Sequence, residues 1–293
     1  MFAYILNLAT LICINGVLAI TLNFIMGYAG IFSLAHAIFF GVGAYSAAYF
    51  ALHSSASIFL AVPAAMLVAA VLSLVLALPA LRVRGEYFVA ASLGLQVLGV
   101  TVFSEWKSIT GGLGGIIGIP PVELFGHAVT DPVQFLLLAS GCLALVILIT
   151  NTLLRSSFGR NLKAIRDSES AAHSFGKNVA AIKTLSVVIS SALAAVAGAL
   201  YAFYLGFINV ESFMLDTSTL LMAMVIIGGT GTLLGPIVGA VLLMLLPSLF
   251  SYMWFLPQTE IGSIQQIAYG TAMVLLMVFR PGGIVGSGKG DRR

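Results

Sequence analysis

The sequence predicts an all-α, polytopic membrane helix bundle, and three observations support that fold class. Of the 293 residues, 60% are apolar and only 8% are charged, with a mean hydropathy of +1.10. Because soluble domains carry about 25% charged residues, a water-soluble fold of this composition would lack the polar surface to cover itself. The first 81 residues contain no Asp, Glu, Lys or Arg, and they can form about three membrane-spanning helices. The apolar runs are continuous rather than alternating, so they do not predict a membrane β-barrel.

Charge and cysteine content exclude several other classes of protein. The formal net charge is only +3, which gives no basic footprint for nucleic acid. Cys13 and Cys142 each lie inside an apolar run, where they predict neither a metal site nor a structural disulfide. The N-terminal sequence MFAYILNLAT lacks the basic region and cleavage site of a signal peptide, so we expect the first span to be retained.

The apolar runs, divided at charges and at Gly/Pro clusters, predict about eight full-length spans and one half-length segment. The polar sequence HSSA at 53–56 separates the second and third spans, and Arg82 closes the third. Glu105 ends the fourth span, and the fifth opens at Pro132. In chain order the predicted spans are 2–26, 28–52, 57–81, 87–104, 132–154, 184–208, the short 218–227, 236–255 and 264–279.

The distribution of Lys and Arg predicts the orientation of this single transmembrane domain, residues 1–293. With the N-terminus external, twelve of the 13 basic residues fall in internal segments, and only Lys107 stays outside. The opposite orientation would place those twelve outside. The prediction therefore puts the N-terminus and the loop 105–131 outside, and it puts the loop 155–183 and the C-terminal tail 280–293 in the cytoplasm.

The half-length segment 218–227 predicts a broken helix. Ten residues of helix rise about 15 Å, which is half of the hydrocarbon core. The sequence GGTGTLLGP at 228–236 cannot form regular helix, and irregular backbone at membrane depth is tolerated only inside protein or beside a cavity. Gly228, Gly229 and Gly231 are therefore candidates for the translocation pathway or for close packing. The alternative, a longer helix followed by a plain cytoplasmic turn, stays open.

Ionisable groups are rare at the predicted membrane depth. No span carries Asp, Glu, Lys or Arg near its middle, and His36 is the one side chain there that titrates near neutral pH. An ion-driven carrier needs such groups as a relay, so uphill transport would have to draw its energy from a partner. His36 is interpreted first as a hydrogen-bonding contact and only second as a relay. Ser33 and Gly41 belong to a small-residue stripe that favours close helix packing over a wide pore lining.

The sequence carries no catalytic motif. It lacks an H-E-x-x-H metal motif, a phosphate-binding G-x-x-x-x-G-K-[ST] loop and a carboxylate in the span of His36. The chain is therefore predicted not to be an enzyme and to bind no cofactor or metal of its own.

The internal loop 155–183, RSSFGRNLKAIRDSESAAHSFGKNVAAIK, is the most informative polar stretch. It is too long for a turn and too polar to insert into a bilayer. Gly159 and Gly176 bracket a predicted amphipathic helix, which favours docking in the groove of a soluble partner. The alternative is a helix that lies on anionic lipid. The apolar side of this helix would carry Leu162, Ile165, Ala172 and Phe175.

This loop resembles the cytoplasmic coupling loop of LivM-type permease subunits of bacterial branched-chain amino acid ABC importers. GYAGIFSLAHAIFFGVGAYSAAYF at 27–50 is similar to that family's signature GYAG-x-x-SLGHAAFFGIGAY, with Ala35 in place of a glycine. The resemblance runs in order over nearly the whole chain. It includes LRVRGEYFVAASLGLQ at 81–96, SITGGLGGIIGIP at 108–120, GGTGTLLGPIVGA at 228–240 and FRPGGIVG at 279–286.

The resemblance implies a permease subunit of the bacterial cytoplasmic (inner) membrane without an ATPase of its own. It implies a second, LivH-type permease, two cytoplasmic ATPase subunits that use ATP, and an external (periplasmic) substrate-binding protein. His173 stands where members of the family commonly carry an acid. The residues that the resemblance assigns to ATPase coupling are Gly159, Arg160, Ala164, Arg166, Glu169, Ala172 and Gly176.

The external loop 105–131 is the expected docking site of the substrate-binding protein. We expect a branched-chain or related hydrophobic amino acid as substrate, with urea or a short amide as the alternative for an ABC permease. The competing class is an ATP-independent facilitator or channel for a small neutral solute. The glycines expected to shape this docking loop are Gly111, Gly112, Gly114 and Gly115.

Overall fold

The computed structural model describes residues 2–53, 57–80, 86–124, 126–251, 261–279 and 282–286, and these residues are mostly helical. The first six helices are α1 (Phe2–Ala29), α2 (His36–His53), α3 (Ile58–Ala80), α4 (Glu86–Glu105), α5 (Lys107–Thr110) and α6 (Pro132–Arg155). The next six are α7 (Ser157–Asp167), α8 (Glu169–Ser174), α9 (Val179–Leu205), α10 (Leu215–Gly228), α11 (Gly235–Ser251) and α12 (Ile261–Phe279). Short 3₁₀ turns form at Gly112–Gly114 and Val210–Phe213.

Short β-ribbons gather at one end of the described bundle. Strand β1 (Ile116–Ile117) pairs antiparallel with β4 (Phe207–Ile208), so the loop after α5 is joined to the chain that leaves α9. Strand β2 (Glu123–Leu124) pairs with β3 (His127–Ala128). Ser57, just before α3, bridges to β2. These contacts bring together the loops that the predicted topology assigns to the external side.

Five of the described helices are long and apolar enough to cross a bilayer, namely α1, α3, α4, α6 and α9. Helices α10 and α11 are apolar but shorter. The prediction of a polytopic helical membrane protein is confirmed at this level, whereas the count of about eight or nine spans and the orientation stay predictions. Arg82, Arg84 and most of the tail 280–293, on which the orientation depends, lie outside the described residues.

The predicted second span is wrong at its start. Hydropathy predicts one continuous helix there, but α1 continues to Ala29 and α2 begins only at His36. Residues 30–35 between them are non-helical, and three of the six, Ile31, Ser33 and Ala35, are buried. Gly30 has a φ of +70°, a conformation that glycine adopts without steric cost. A second break separates α10 from α11 at residues 229–234.

Helix α9 begins earlier than hydropathy predicts. Asn178 caps it, because its Oδ1 accepts the N–H of Ala181 at 3.1 Å. Lys183 in the first turns is charged, but its Nζ pairs with Glu169 Oε2 of α8 at 2.7 Å. The last residues of the predicted internal loop are therefore helical.

The α2–α9 contact forms the centre of the described bundle. A Cβ on Gly43 would overlap the backbone of Ala195, and a Cβ on Gly198 would overlap the backbone of Phe40. Small residues let two helix backbones approach this closely. Helices α1 and α3 pack against other sides of α9.

Candidate functional site

The predicted coupling helix is two helices, α7 and α8, that meet at a break. Ser156 caps α7, since its Oγ accepts the N–H of Phe158 at 3.2 Å. Ser168 has extended backbone and caps α8, its Oγ accepting from the N–H of Ala171 at 3.3 Å. Serine is a strong N-cap residue, so the sequence starts a helix at each position. Gly176, with a φ of +71°, lies just beyond the end of α8.

The coupling segment, residues 157–175, buries one side and exposes the other. Leu162, Ile165 and Ala172 are buried as the apolar pattern predicts. Phe175 is not on this buried face, as its side chain is 84% exposed. Helix α8 ends at Ser174, so Phe175 lies beyond the helix whose face buries Ala172.

The remaining predicted coupling residues differ in their surroundings. Arg160, Ala164 and Glu169 are exposed to solvent. Gly159 lies inside the first turn of α7, not at the helix start, and it is buried. A Cβ on Gly159 would overlap the backbone of Leu154 at the end of α6. Glycine there lets α7 leave α6 in a tight turn.

Arg166 joins α7 to the C-terminal end of α1. Its Nη1 donates to the carbonyl oxygen of Gly27 at 2.9 Å, and its Nη2 lies 3.0 Å from Asp167 Oδ1. A Cβ on Gly30 would come within 3.1 Å of Arg166 Cγ, so α7 lies directly on the end of α1. The guanidinium thus hydrogen-bonds a carbonyl in the last turn of α1, where such groups lack intrahelical partners.

The break between α10 and α11, residues 229–234, contacts the same part of α1. Gly229 and Gly231 have φ values of +126° and +74°. Asn23 Oδ1 accepts the N–H of Gly231 at 2.9 Å, and Asn23 Nδ2 donates to the carbonyl oxygen of Thr232 at 2.7 Å. Sequence reasoning identified the glycines of this break but not their partner, because 209 residues separate Asn23 from Thr232.

Other backbone closes around this break. A Cβ on Gly228 would overlap the carbonyl group of Gly235, so the facing ends of α10 and α11 touch. Val285, in the C-terminal turn 282–286, donates its N–H to the carbonyl oxygen of Gly228 at 3.1 Å. Other parts of the chain therefore hold this irregular backbone in place, while Thr230 and Leu234 within it stay exposed.

His36 is buried at the start of α2 and bonded to α1. Its Nε2 lies 2.9 Å from Thr21 Oγ1, and Ser190 Oγ of α9 donates to the carbonyl oxygen of Thr21 at 2.6 Å. His36 Nδ1 has no hydrogen-bond partner among the described residues. This geometry is that of a contact between helices.

Hydroxyl groups that sequence reasoning missed satisfy the backbone at the start of α2. Ser218 Oγ of α10 accepts the N–H of Ala37 at 3.1 Å, and Ser92 Oγ of α4 accepts the N–H of Leu34 at 3.0 Å. Ser33 Oγ accepts the N–H two residues further along at 3.3 Å. No spacing in the sequence distinguishes Ser218 or Ser92 from serines that bond only within their own helix.

Gly41 faces aromatic side chains. A Cβ there would press on the rings of Phe103 and Phe213. Phe213 is fully buried, and its ring centroid lies 5.1 Å from that of Phe40 and 5.5 Å from that of Tyr45. This part of the small-residue stripe on α2 therefore packs closely against neighbouring side chains.

The predicted docking loop is shaped by its glycines. Those with positive φ are Gly111 (73°), Gly112 (65°) and Gly115 (68°), and Gly114 lies in the 3₁₀ turn. The tip carries two apolar side chains, Leu113 and Ile117, that are 78% and 74% exposed. Exposed apolar groups beside a ribbon form a surface that a protein partner can cover.

No described residues form a group of three or more His, Cys, Asp or Glu that could hold a metal ion. A cavity of about 610 Å³ opens beside the external loop, between α1, α6 and α9. Its polar lining is already paired, since Tyr204 Oη donates to Asn7 Oδ1 at 2.6 Å and Asp131 caps α6.

Long apolar helices, helix breaks held by remote side chains and an amphipathic segment at one end of the bundle are the features of a multi-pass helical membrane protein. Residues 4–279 match the family described as "Branched-chain amino acid transport system / permease component". The chain belongs to this family, whose members are permease components and not enzymes.

Named relatives agree with this assignment. The chain is 31% identical to the high-affinity branched-chain amino acid transport system permease protein LivM of Escherichia coli K12, over 95% of this chain and 69% of the relative. The Salmonella typhimurium protein of the same name gives the same values. A probable LivM permease of Methanocaldococcus jannaschii is 24% identical over 77% of this chain and 67% of its own length. No solved structure matches the chain.

Proposed function

We propose that the chain is a permease subunit of an ATP-driven, binding-protein-dependent importer in the bacterial cytoplasmic membrane. Its substrates would be branched-chain or related hydrophobic amino acids. The family membership supports the transport role, and the names of the bacterial relatives support the substrate class. A LivH-type permease, two ATPase subunits and an external substrate-binding protein would complete the importer. ATP would be consumed by the ATPase subunits.

The coupling segment 157–175 is our candidate for the ATPase contact, and the exposure of Phe175 carries this proposal. Among the described residues, no large hydrophobic side chain is more exposed. Phe175 also belongs to a polar segment outside the apolar spans, so it is not covered by the hydrocarbon region that covers the exposed side chains of the long helices. A protruding aromatic side chain that enters a partner pocket is the typical anchor of a protein interface. Arg160 and Lys163 on α7 supply exposed charge elsewhere on the same segment.

Arg166 supplies the connection from this contact to the membrane helices. Its hydrogen bond to the Gly27 carbonyl couples α7 to the end of α1. Closure of the ATPase subunits on ATP would displace α7, and α1 would follow it. Alternating access in many transporters is such a rigid-body motion of packed helices.

The external loop is our candidate for the binding-protein contact. Leu113 and Ile117 present exposed apolar surface at its tip. The β1–β4 pairing connects this tip to the chain that leads into α10. Docking on the loop would therefore act on α10 from the side opposite to the coupling segment.

Replacing Phe175 with alanine tests the ATPase contact. The chain would be expressed with its partner subunits, purified through a tag, and assayed for the ATPase retained with it. We expect retention to fall about tenfold or more, since loss of an anchoring aromatic costs about 2 kcal/mol or more. Folding should be unaffected, because the Phe175 side chain is mostly in solvent.

The matched control is Leu113→Ala, which removes a similarly exposed side chain from the external loop. It should leave ATPase retention unchanged. Wild-type retention by the Phe175→Ala chain would contradict the proposed contact.

A further inference from the structure

One buried amide connects the end of α1 to the helix break at 229–234. Asn23 is 1% exposed, and both polar atoms of its side chain bond backbone of the break. Its Oδ1 accepts from Gly231 N at 2.9 Å, and its Nδ2 donates to Thr232 O at 2.7 Å. A buried pair of such bonds resists sliding, because separation leaves polar groups unsatisfied in an apolar surrounding.

The same turn of α1 contacts the coupling segment. Gly27 lies four residues after Asn23, and its carbonyl accepts from Arg166 Nη1 at 2.9 Å. A Cβ on Gly27 would overlap both Asn23 Oδ1 and the backbone N of Gly231. Helix α7, the end of α1 and the break therefore meet at one place, where a Cβ on Gly231 would also lie 3.5 Å from Arg166 Nη1.

Helix α1 also packs against α10 and α11, the two helices that flank the break, but packing of apolar side chains fixes no direction in the way that hydrogen bonds do. Within the break, Thr232 Oγ1 donates to the Gly229 carbonyl at 2.8 Å and accepts from Gly235 N at 3.1 Å. These local bonds hold the shape of the break but do not fix it to another helix. The Asn23 amide does fix it, with one donor and one acceptor.

We infer that Asn23 is a positioning residue for transport, which transmits the movement of α7 and α1 to the break between α10 and α11. This inference rests on the proposed function, because it requires α7 to be moved by an ATPase. Loss of the amide disconnects the break from the motion while leaving the ATPase contact in place. ATP hydrolysis then proceeds without a matching movement of substrate.

The test uses the complete importer in proteoliposomes, with the substrate-binding protein and radiolabelled leucine. Uptake and ATP hydrolysis are measured in the same vesicles for wild type and Asn23→Leu, which keeps the side-chain size and removes both hydrogen bonds. We expect leucine taken up per ATP to fall about fivefold or more, within the usual range of coupling between linked sites. The ATPase subunits should stay bound in wild-type amounts.

Asn15→Leu is the control on the same helix. Asn15 Nδ2 donates to the Leu11 carbonyl of its own helix at 2.9 Å, so its loss should leave uptake per ATP at the wild-type value. If Asn23→Leu does not accumulate in the membrane, Asn23→Ser replaces it, since a serine hydroxyl cannot reach both partners. The same fall in uptake per ATP is expected.

An unchanged ratio of uptake to hydrolysis in the Asn23 variant overturns the inference. A parallel loss of uptake and hydrolysis also overturns it, because that result is what a packing role alone produces. Failure of the proposed function can be distinguished from failure of the inference about Asn23. If the proposed function is wrong, the wild-type chain itself retains no ATPase subunit, or it moves leucine without ATP.

Discussion

Gly43 and Gly198 set the distance between α2 and α9. At both positions a Cβ would overlap backbone of the facing helix, not the end of a flexible side chain. Neither overlap can be relieved by a change of rotamer, so an added methyl group must move a helix. The contact lies at the centre of the bundle, where such a movement affects the packing of α1 and α3 as well.

Gly198→Ala is expected to destabilise the protein by about 1–3 kcal/mol, the usual cost of overpacking a tight core. Thermal unfolding of the purified chain in detergent measures it. The control is Gly141→Ala in α6, where a Cβ meets nothing within 4 Å. That change should be neutral or slightly stabilising, since alanine favours helix by about 1 kcal/mol over glycine. Equal melting temperatures for the two variants would contradict the packing described for Gly198.

At the residue level, helical spacing predicts close packing for both Ser33 and Gly41, but only Gly41 lies in a helix. Ser33 belongs to the non-helical residues 30–35, so helical periodicity does not put the two residues on one face. Gly41 packs against the rings of Phe103 and Phe213. Ser218 could not be identified from spacing. Its partner Ala37 lies far away in the chain, so only the tertiary structure shows which serine bonds across helices. For Asn23 a bond between helices is the expected role of an amide in a span, but only the structure shows that its partner is Thr232.

The helix breaks at 30–35 and 229–234 leave backbone groups without partners in a regular helix, and polar side chains satisfy several of these groups. At the first break, serine hydroxyls from α4 and α10 accept backbone N–H groups. At the second, the Asn23 amide provides both a donor and an acceptor. Each break is thus held by side chains of helices remote in sequence.

Ser218→Ala is expected to destabilise the start of α2. It removes the acceptor for Ala37 N and the hydroxyl that lies 3.4 Å from Gln96 Oε1. A buried N–H left without a partner costs about 1–3 kcal/mol, which thermal unfolding detects. Ser140→Ala is the control, because Ser140 Oγ bonds only the Leu137 carbonyl in its own helix according to the described contacts. A Ser218→Ala protein as stable as the control would contradict this account of α2.

The second break could be predicted from the sequence and the first could not. Four glycines and a proline interrupt 228–236, and few such sequences continue as helix. The stretch 30–35 is instead apolar except for Ser33, so hydropathy continues across it. The break between α7 and α8 at Ser168 was not predicted either. A serine inside an amphipathic pattern does not by itself predict a helix N-cap.

On the scale of the whole molecule, the loops separate into two groups at opposite ends of the long helices. One group contains β1, β4 and Ser57, and the other contains the coupling segment, the break 229–234 and the turn 282–286. If successive spans cross the membrane in opposite directions, as predicted, their connecting loops must lie alternately at the two ends of the bundle. Which group faces the cytoplasm stays a prediction from the distribution of Lys and Arg.

The charge distribution also explains why a partner has to supply energy in this account. The predicted spans carry no Asp, Glu, Lys or Arg near their middle, and His36 is bonded to Thr21 in a helix contact. Force would therefore enter at the coupling segment, and substrate delivery would occur at the opposite end. An ATP-independent facilitator needs neither the coupling segment for an ATPase nor the external loop for a binding protein.

Leucine uptake into proteoliposomes that contain the complete importer tests whether ATP and the substrate-binding protein together drive transport. ATP is supplied on the side of the coupling segment, and the substrate-binding protein is supplied on the other side. We expect leucine to accumulate above its external concentration only when ATP and the substrate-binding protein are both present. Omission of ATP or of the binding protein should abolish the accumulation. Equilibration of leucine across the membrane without ATP and without the binding protein would contradict it.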